Sequence, residues 1–173
     1  MPSRGGVLTG VFVAVVVIGL VIGWIVSSTT GPAAAVGETA PDFTVTLIEG
    51  GQFDLSTHFE EDGRPIVLNL WASWCGPCRT EIPAISNWSL RNPEVLVLGV
   101  AVEDQDDDSR ALAAELRPAY QLAIGSSEFR GAYPSLGLPA TYIIDANGDI
   151  ADLINGIVDE DSLDARFEAA ISG

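Results

Sequence analysis

Two cysteines, Cys75 and Cys78, stand three residues apart in Trp74-Cys75-Gly76-Pro77-Cys78, and they are the only two in the chain. The segment follows Ile66 to Trp71 (IVLNLW), apolar almost throughout, as a strand buried on both faces should be. It precedes Arg79 to Leu90, which reads as a helix with Pro83 inside it. Two thiols at this spacing can close a small disulfide ring. Cys75 falls in the first helical turn, where unpaired N–H groups and the positive end of the helix dipole favour thiolate over thiol, so it is the expected nucleophile. Cys78, one turn further in, is expected to be more buried and to resolve the mixed disulfide formed on Cys75. A zinc site needs four ligands, and the chain adds only one histidine, His58, to the two cysteines. Strand before and helix after select redox chemistry instead. His58, in Ser56-Thr57-His58-Phe59, reads as a surface or capping histidine.

Charge narrows the partners. The chain of 173 residues carries 24 Asp and Glu against 8 basic residues, all arginine, for a formal charge of -16. Every acid lies after Gly37, so the folded part is the acidic part. Nucleic-acid binding, which depends on Lys and Arg neutralising phosphate, is excluded. Ahead of it, Val7 to Val26 is apolar almost throughout, with Arg4 on one flank and Trp24 near the far end. That is the length of a membrane-crossing helix. A cleavable signal peptide, with Ala33-Ala34-Ala35 as its site, is the competing reading, but its apolar core is normally shorter. The division expected is therefore a short cytoplasmic amino terminus (1–6), a transmembrane anchor (7–26), a linker (27–40) and a domain (41–173) outside the membrane, with Arg4 orienting it.

Within the domain, Phe43 to Ile48 and Phe53 to Leu55 flank Glu49-Gly50-Gly51-Gln52 and read as an N-terminal hairpin. Val95 to Val102 reads as a second buried strand, Ser109 to Leu116 as a helix stopped by Pro118, Gln121 to Ile124 as a strand, and Glu128 to Tyr133 as a helical turn. Ala140 to Asp145 and Asp149 to Ile154 flank the turn signal Ala146-Asn147-Gly148, and Asp159 or Asp161 can cap a last helix to Ile171. Strands alternating with helices, closed by an antiparallel hairpin, imply an α/β fold with a mixed sheet.

Three stretches carry a family resemblance: Ala40-Pro41-Asp42-Phe43, then Leu68 through Trp74-Cys75-Gly76-Pro77-Cys78 to Pro83, then Gly137-Leu138-Pro139-Ala140-Thr141. Over nearly all of residues 37 to 173 the chain resembles the membrane-anchored, TlpA-like (ResA/DsbE-type) thioredoxins. The resemblance implies a thioredoxin-like fold with an added N-terminal hairpin and a central helix–strand insertion. It implies a cis Leu138–Pro139 bond facing the disulfide, and Trp74, Gly76, Pro77, Leu138 and Pro139 as the surface that meets a client. Asn69 stands where ordinary thioredoxins carry a buried aspartate. The TlpA-like branch often places a glutamate three residues after the second cysteine instead, and Glu81 stands there. A carboxyl beside a buried thiol has a raised pKa and can take the Cys78 proton.

The expected function is thus an extracytoplasmic thiol-disulfide oxidoreductase, a reductase of protein disulfides in, for example, cytochrome c maturation, recharged by a thiol-transferring membrane protein. Neither cofactor nor metal is expected beyond the Cys75–Cys78 pair. Direction is left open to a disulfide-donating oxidase, because it depends on potential. A thiol peroxidase shares the Ala40-Pro41-Asp42-Phe43 opening but needs a hydroxyl residue where Ala72 stands. A copper-binding assembly factor resembles Cys-x-x-x-Cys with a later histidine, and no histidine follows His58. Arg79 is expected to steady Cys75 or to meet an acidic partner. The run Glu103 to Asp108 reads as a solvated loop.

Overall fold

Alternation of inward and outward side chains in β1 (Thr44–Leu47) buries Val45, and two glycines at positive φ, Gly50 and Gly51, turn the chain into β2 (Gln52–Asp54). The computed structural model describes residues 33–172. The hairpin pairs Val45 with Phe53. Leu55, expected as its last strand residue, instead opens α1 (Leu55–Glu61), because the Asp54 carboxylate accepts from Thr57 N–H and caps a helix there. That helix also corrects the reading of His58: its ring is buried and bonds the Arg64 carbonyl at 2.8 Å.

All six residues of β3 (Ile66–Trp71) are buried. Next come α2 (Gly76–Arg91), β4 (Leu96–Ala101), α3 (Asp106–Leu116), β5 (Gln121–Ile124), α4 (Ser127–Ala132), β6 (Ala140–Ile144), β7 (Ile150–Asn155) and α5 (Glu160–Ile171). Helix α2 starts at Gly76, three residues before the expected Arg79, since proline fits a first turn. Helix α3 likewise starts before Ser109, because Asp106, Asp107 and Asp108 favour its positive end. The acidic run is therefore loop from Glu103 to Gln105 and helix from Asp106 to Asp108, exposed to solvent except at Asp104. Asp159, one of the two expected caps, closes a capping box with Ser162.

The strands form one seven-stranded sheet in the order β2-β1-β5-β4-β3-β6-β7, with β3 parallel to β4 and antiparallel to β6. Period-two alternation along β3 divides the core. Ile66, Leu68 and Leu70 join the hairpin side with Phe43, Phe53, Phe129 and Tyr133. Val67 and Trp71 face the other way, onto α2, α3 and α5. Both faces of the sheet are thus covered, as a thioredoxin-like α/β fold requires.

The expected anchor at 7–26 lies outside the described residues, as do 1–6 and residues 27–32 of the linker; among the described residues no helix is long and apolar enough to cross a membrane. Residues 34–40, expected as the end of the linker, already run along the domain. Ala34 is buried with its N–H on the Ala132 carbonyl, and Gly37 N–H donates to Ile150.

Phe43 explains the Ala40-Pro41-Asp42-Phe43 segment physically. Its ring packs against Phe53 of β2, edge-on to Phe129 of α4 and edge-on to Tyr133, whose hydroxyl donates to the Pro41 carbonyl. Replacing it leaves a hole between the hairpin and α4. Phe43→Ala is expected to lower unfolding stability by about 3–5 kcal/mol, read from the urea midpoint at unchanged m-value.

Candidate active site

Cys75 sits at the N-cap of α2, directly after the central strand, and is disulfide-bonded to Cys78. Its sulfur also accepts from the Cys78 N–H at 3.2 Å, so the backbone donors of the first helical turn point at it. The pair is asymmetric: Cys75 retains 4% of its surface and Cys78 none. An incoming sulfur therefore meets Cys75 first. Trp74, Gly76 and Pro77 are exposed around it, Trp74 by 62%.

The loop that carries Cys75 is held from the end of β4. The Asp104 carboxylate accepts from Ser73 N–H at 2.6 Å, from the Ser73 hydroxyl at 2.7 Å, from the Ser109 hydroxyl at 2.7 Å and from Gln105 N–H at 2.9 Å. Burial opposes its ionisation, but these hydrogen bonds outweigh it and hold its pKa below the usual carboxylate range. Glu103, in left-handed backbone at φ 54°, offers its carbonyl to the Trp74 indole N–H at 3.0 Å. Sequence reasoning missed this clamp. Its available signal was the position of Asp104 just past the carboxyl end of a buried strand, where sites on open α/β sheets gather.

Beneath the disulfide lies Glu81, fully buried on α2 one turn beyond Cys78. One carboxyl oxygen accepts from Asn69 Nδ2 at 2.7 Å and the other from Val158 N–H at 2.9 Å. Asn69 Nδ2 also reaches Thr141 Oγ at 3.1 Å. Burial pushes the Glu81 pKa up from 4.5 to about 7, against the opposing pull of the Val158 and Asn69 donors. Asn69 was legible only as a departure; Thr141 and Val158 were not legible as partners of Glu81.

The Leu138–Pro139 bond is cis, as expected. Pro139 is buried, while half-buried Leu138 packs against the cluster that contains Cys75 and Cys78. Thus Trp74, Leu138 and both cysteines share one region. Arg79 does not join them: its guanidinium pairs with Glu115 of α3 at 3.0 Å on the surface. Among the described residues no group of three or more His, Cys, Asp or Glu side chains is placed to hold a metal ion.

A disulfide at the amino end of the helix after the central strand, with a cis-proline turn packed against it, defines a thioredoxin-like thiol-disulfide oxidoreductase. The redox group is the chain's own Cys75–Cys78 pair. The chain belongs to the AhpC/TSA family, whose model matches residues 36–153. It is 29% identical over 140 residues to the thiol-disulfide oxidoreductase ResA of Geobacillus kaustophilus, covering 79% of each chain. It is 30% identical over 149 residues to the thiol:disulfide interchange protein DsbE of Pseudomonas fluorescens, covering 81% of this chain and 80% of that one. A crystal structure from Chlorobium tepidum, assigned as a DsbE, superposes with a TM-score of 0.71 at 26% identity, over 80% of this chain and 99% of the other. The enzyme is therefore a thiol-disulfide oxidoreductase of the DsbE/ResA type.

The raised Glu81 pKa has a stability consequence of definite sign. Between 4.5 and about 7 the native state holds a proton that the unfolded chain releases, so stability is full below the unfolded value and falls as pH rises through the folded one. The loss is on the order of 3 kcal/mol. In urea titrations of the oxidised protein from about pH 5 to about pH 8, Glu81→Gln is expected to flatten this decline; an identical slope in both proteins contradicts it.

Proposed function

We propose that the protein is a reductase of disulfides in exported proteins, acting outside the cytoplasmic membrane from an anchor at residues 7–26. The observation that carries the reading is the pairing of an outer sulfur, Cys75, at a helix N-terminus with an inner one, Cys78, that has a sealed carboxyl one turn below it. In the reduced enzyme the Cys75 thiolate, favoured by the helix dipole, attacks one sulfur of a client disulfide. A mixed disulfide forms and a client thiolate leaves. Cys78 then passes its proton to ionised Glu81, whose midpoint of about 7 suits transfer at neutral pH. The Cys78 thiolate attacks the Cys75 sulfur, the second client thiolate departs, and the Cys75–Cys78 disulfide remains. The client has gained two electrons that the enzyme lost.

Extended client segments are read by the exposed Trp74, Gly76 and Pro77 and by the turn at Leu138–Pro139. Gly76-Pro77 is the pair of thioredoxin, a reductant near about -270 mV, which supports this direction. The resemblance to TlpA-like thioredoxins supports haem-attachment thiols of cytochrome c as one client class, with a thiol-transferring membrane protein returning the enzyme to its dithiol form. Arg4 and the acid-free stretch through Gly37 support the outward orientation of the acidic domain.

Equilibrating the full chain in thiol buffers and reading the Cys75 and Cys78 redox state by alkylation tests the direction. A potential near about -270 mV is expected; one near about -120 mV makes the protein a disulfide donor and overturns the reading. Cys78→Ala is expected to accumulate a mixed disulfide with a disulfide-bonded client on non-reducing gels, and Cys75→Ala to accumulate none. Trapping by Cys75→Ala alone would reverse the assigned roles.

A further inference from the structure

Among the described residues three buried side-chain polar atoms have no hydrogen-bond partner: Asn69 Oδ1, Trp71 Nε1 and the Tyr120 hydroxyl. The Trp71 nitrogen and the Tyr120 ring meet at Gly99, and Asn69 stands opposite that glycine in the sheet. Asn69 and Trp71 are alternate residues of β3 and face the same way, and Gly99 lies opposite Asn69 in the parallel β3–β4 register. A Cβ on Gly99 would stand 3.3 Å from Trp71 Nε1, 3.1 Å from the Tyr120 ring carbon Cε2 and 2.5 Å from Leu122 Cδ2. Only a glycine lets the indole and phenol edges close in beside Asn69.

An unpaired buried donor or acceptor is costly, and native structures seldom leave one without a protein or water partner. Here the set comprises an indole that only donates, an amide oxygen that only accepts and a hydroxyl that does both. One water molecule can satisfy all three. We infer that Asn69, Trp71 and Tyr120 hold an internal water beside Gly99, and that the Tyr120 hydroxyl acts through this water and Asn69 as a positioning group for the Glu81 carboxyl. The inference rests on the reading of Glu81 as the proton acceptor.

The two protonation states of Glu81 ask opposite things of Asn69. Ionised Glu81 takes a hydrogen bond from Nδ2, as in the structure, which leaves Oδ1 to accept from the water. Protonated Glu81 has an O–H to donate, and Asn69 meets it by turning its amide over, so that Oδ1 accepts and Nδ2 points to the water. Thr141 Oγ can donate or accept and follows either orientation. In the second arrangement the water accepts from both Asn69 and Trp71, and its own protons need an acceptor. The Tyr120 oxygen supplies one. Without the hydroxyl, the protonated state of Glu81 loses more than the ionised state does.

The titratable group facing Glu81 is Tyr120; Cys78, one turn earlier on α2, is held in the disulfide, and the partners from β3 and from the segment before α5, Asn69 and the Val158 N–H, carry no charge, nor does Thr141 of β6. Burial, and then the Glu81 charge, push the Tyr120 pKa up, so the phenol stays protonated and its oxygen lies within reach of the Glu81 field.

The test follows Glu81 in the full-length, oxidised chain in detergent, by carbon NMR of a glutamate-labelled protein, with the signal assigned by its loss in Glu81→Gln. Tyr120→Phe, which removes one oxygen and keeps the ring, is expected to move the Glu81 midpoint down by about half to one pH unit, the worth of one ordinary hydrogen bond. A crystal structure of the wild-type protein is expected to show one ordered water within hydrogen-bond distance of Asn69 Oδ1, Trp71 Nε1 and the Tyr120 hydroxyl. A midpoint that stays put or rises in Tyr120→Phe, or an empty position in that crystal structure, overturns this inference alone. A wild-type Glu81 that titrates like an exposed carboxylate overturns the proton-acceptor reading and the coupling together.

Discussion

Glu81 is a carboxyl enclosed by an apolar interface, and most of the site is arranged around that fact. Placing an ionisable group between the sheet and α2 is tolerable only with hydrogen-bond partners for both oxygens. Asn69 from β3 and the Val158 N–H from the segment before α5 provide them. Two elements distant in sequence are thereby tied to one side chain of α2, and that side chain follows Cys78 by one helical turn. The inner sulfur and the buried acid therefore share one low-dielectric environment, in which burial has raised the proton affinity of the carboxyl.

The outer sulfur is positioned by different means. Cys75 caps the N-terminus of α2 and depends on the Asp104 clamp for its place. Asp104 and Glu103 come from the end of β4, the strand beside β3, so the reacting loop is braced by the sheet rather than by α2 alone. Inner and outer cysteines thus answer to separate supports. Changes in the acid below need not displace the sulfur above.

Much of this was legible in the residues. Period-two burial and turn glycines marked the hairpins, and the IVLNLW run marked the central strand. Cys-Gly-Pro-Cys at a strand-to-helix junction marked the chemistry, and the resemblance singled out Glu81 and Pro139. What stayed hidden was long-range pairing. His58 in a polar stretch gave no sign that α1 would tuck its ring against the Arg64 carbonyl. Asp104 sat inside an acidic run whose other members are mostly helix-starting charges, and its bonds to Ser73 span thirty-one positions of chain. Tyr120, beside a proline that ends a helix, looked like loop until the fold laid its ring over Gly99. Local pattern reports which face a residue turns inward; it does not report what waits there.

The outermost strands of the sheet carry one more consequence, for self-association. An exposed strand edge is a template for pairing with another copy, and proteins blunt such edges with brevity and charge. At one margin β2 has only three residues and ends in Asp54, whose carboxylate is committed to capping α1. At the other, β7 carries Asp152 locked to Arg166 of α5 by two hydrogen bonds of 2.6 Å. Brevity at β2, a committed acid at each margin and the excess of acid over base in this domain all weigh against one copy zipping onto another edge to edge.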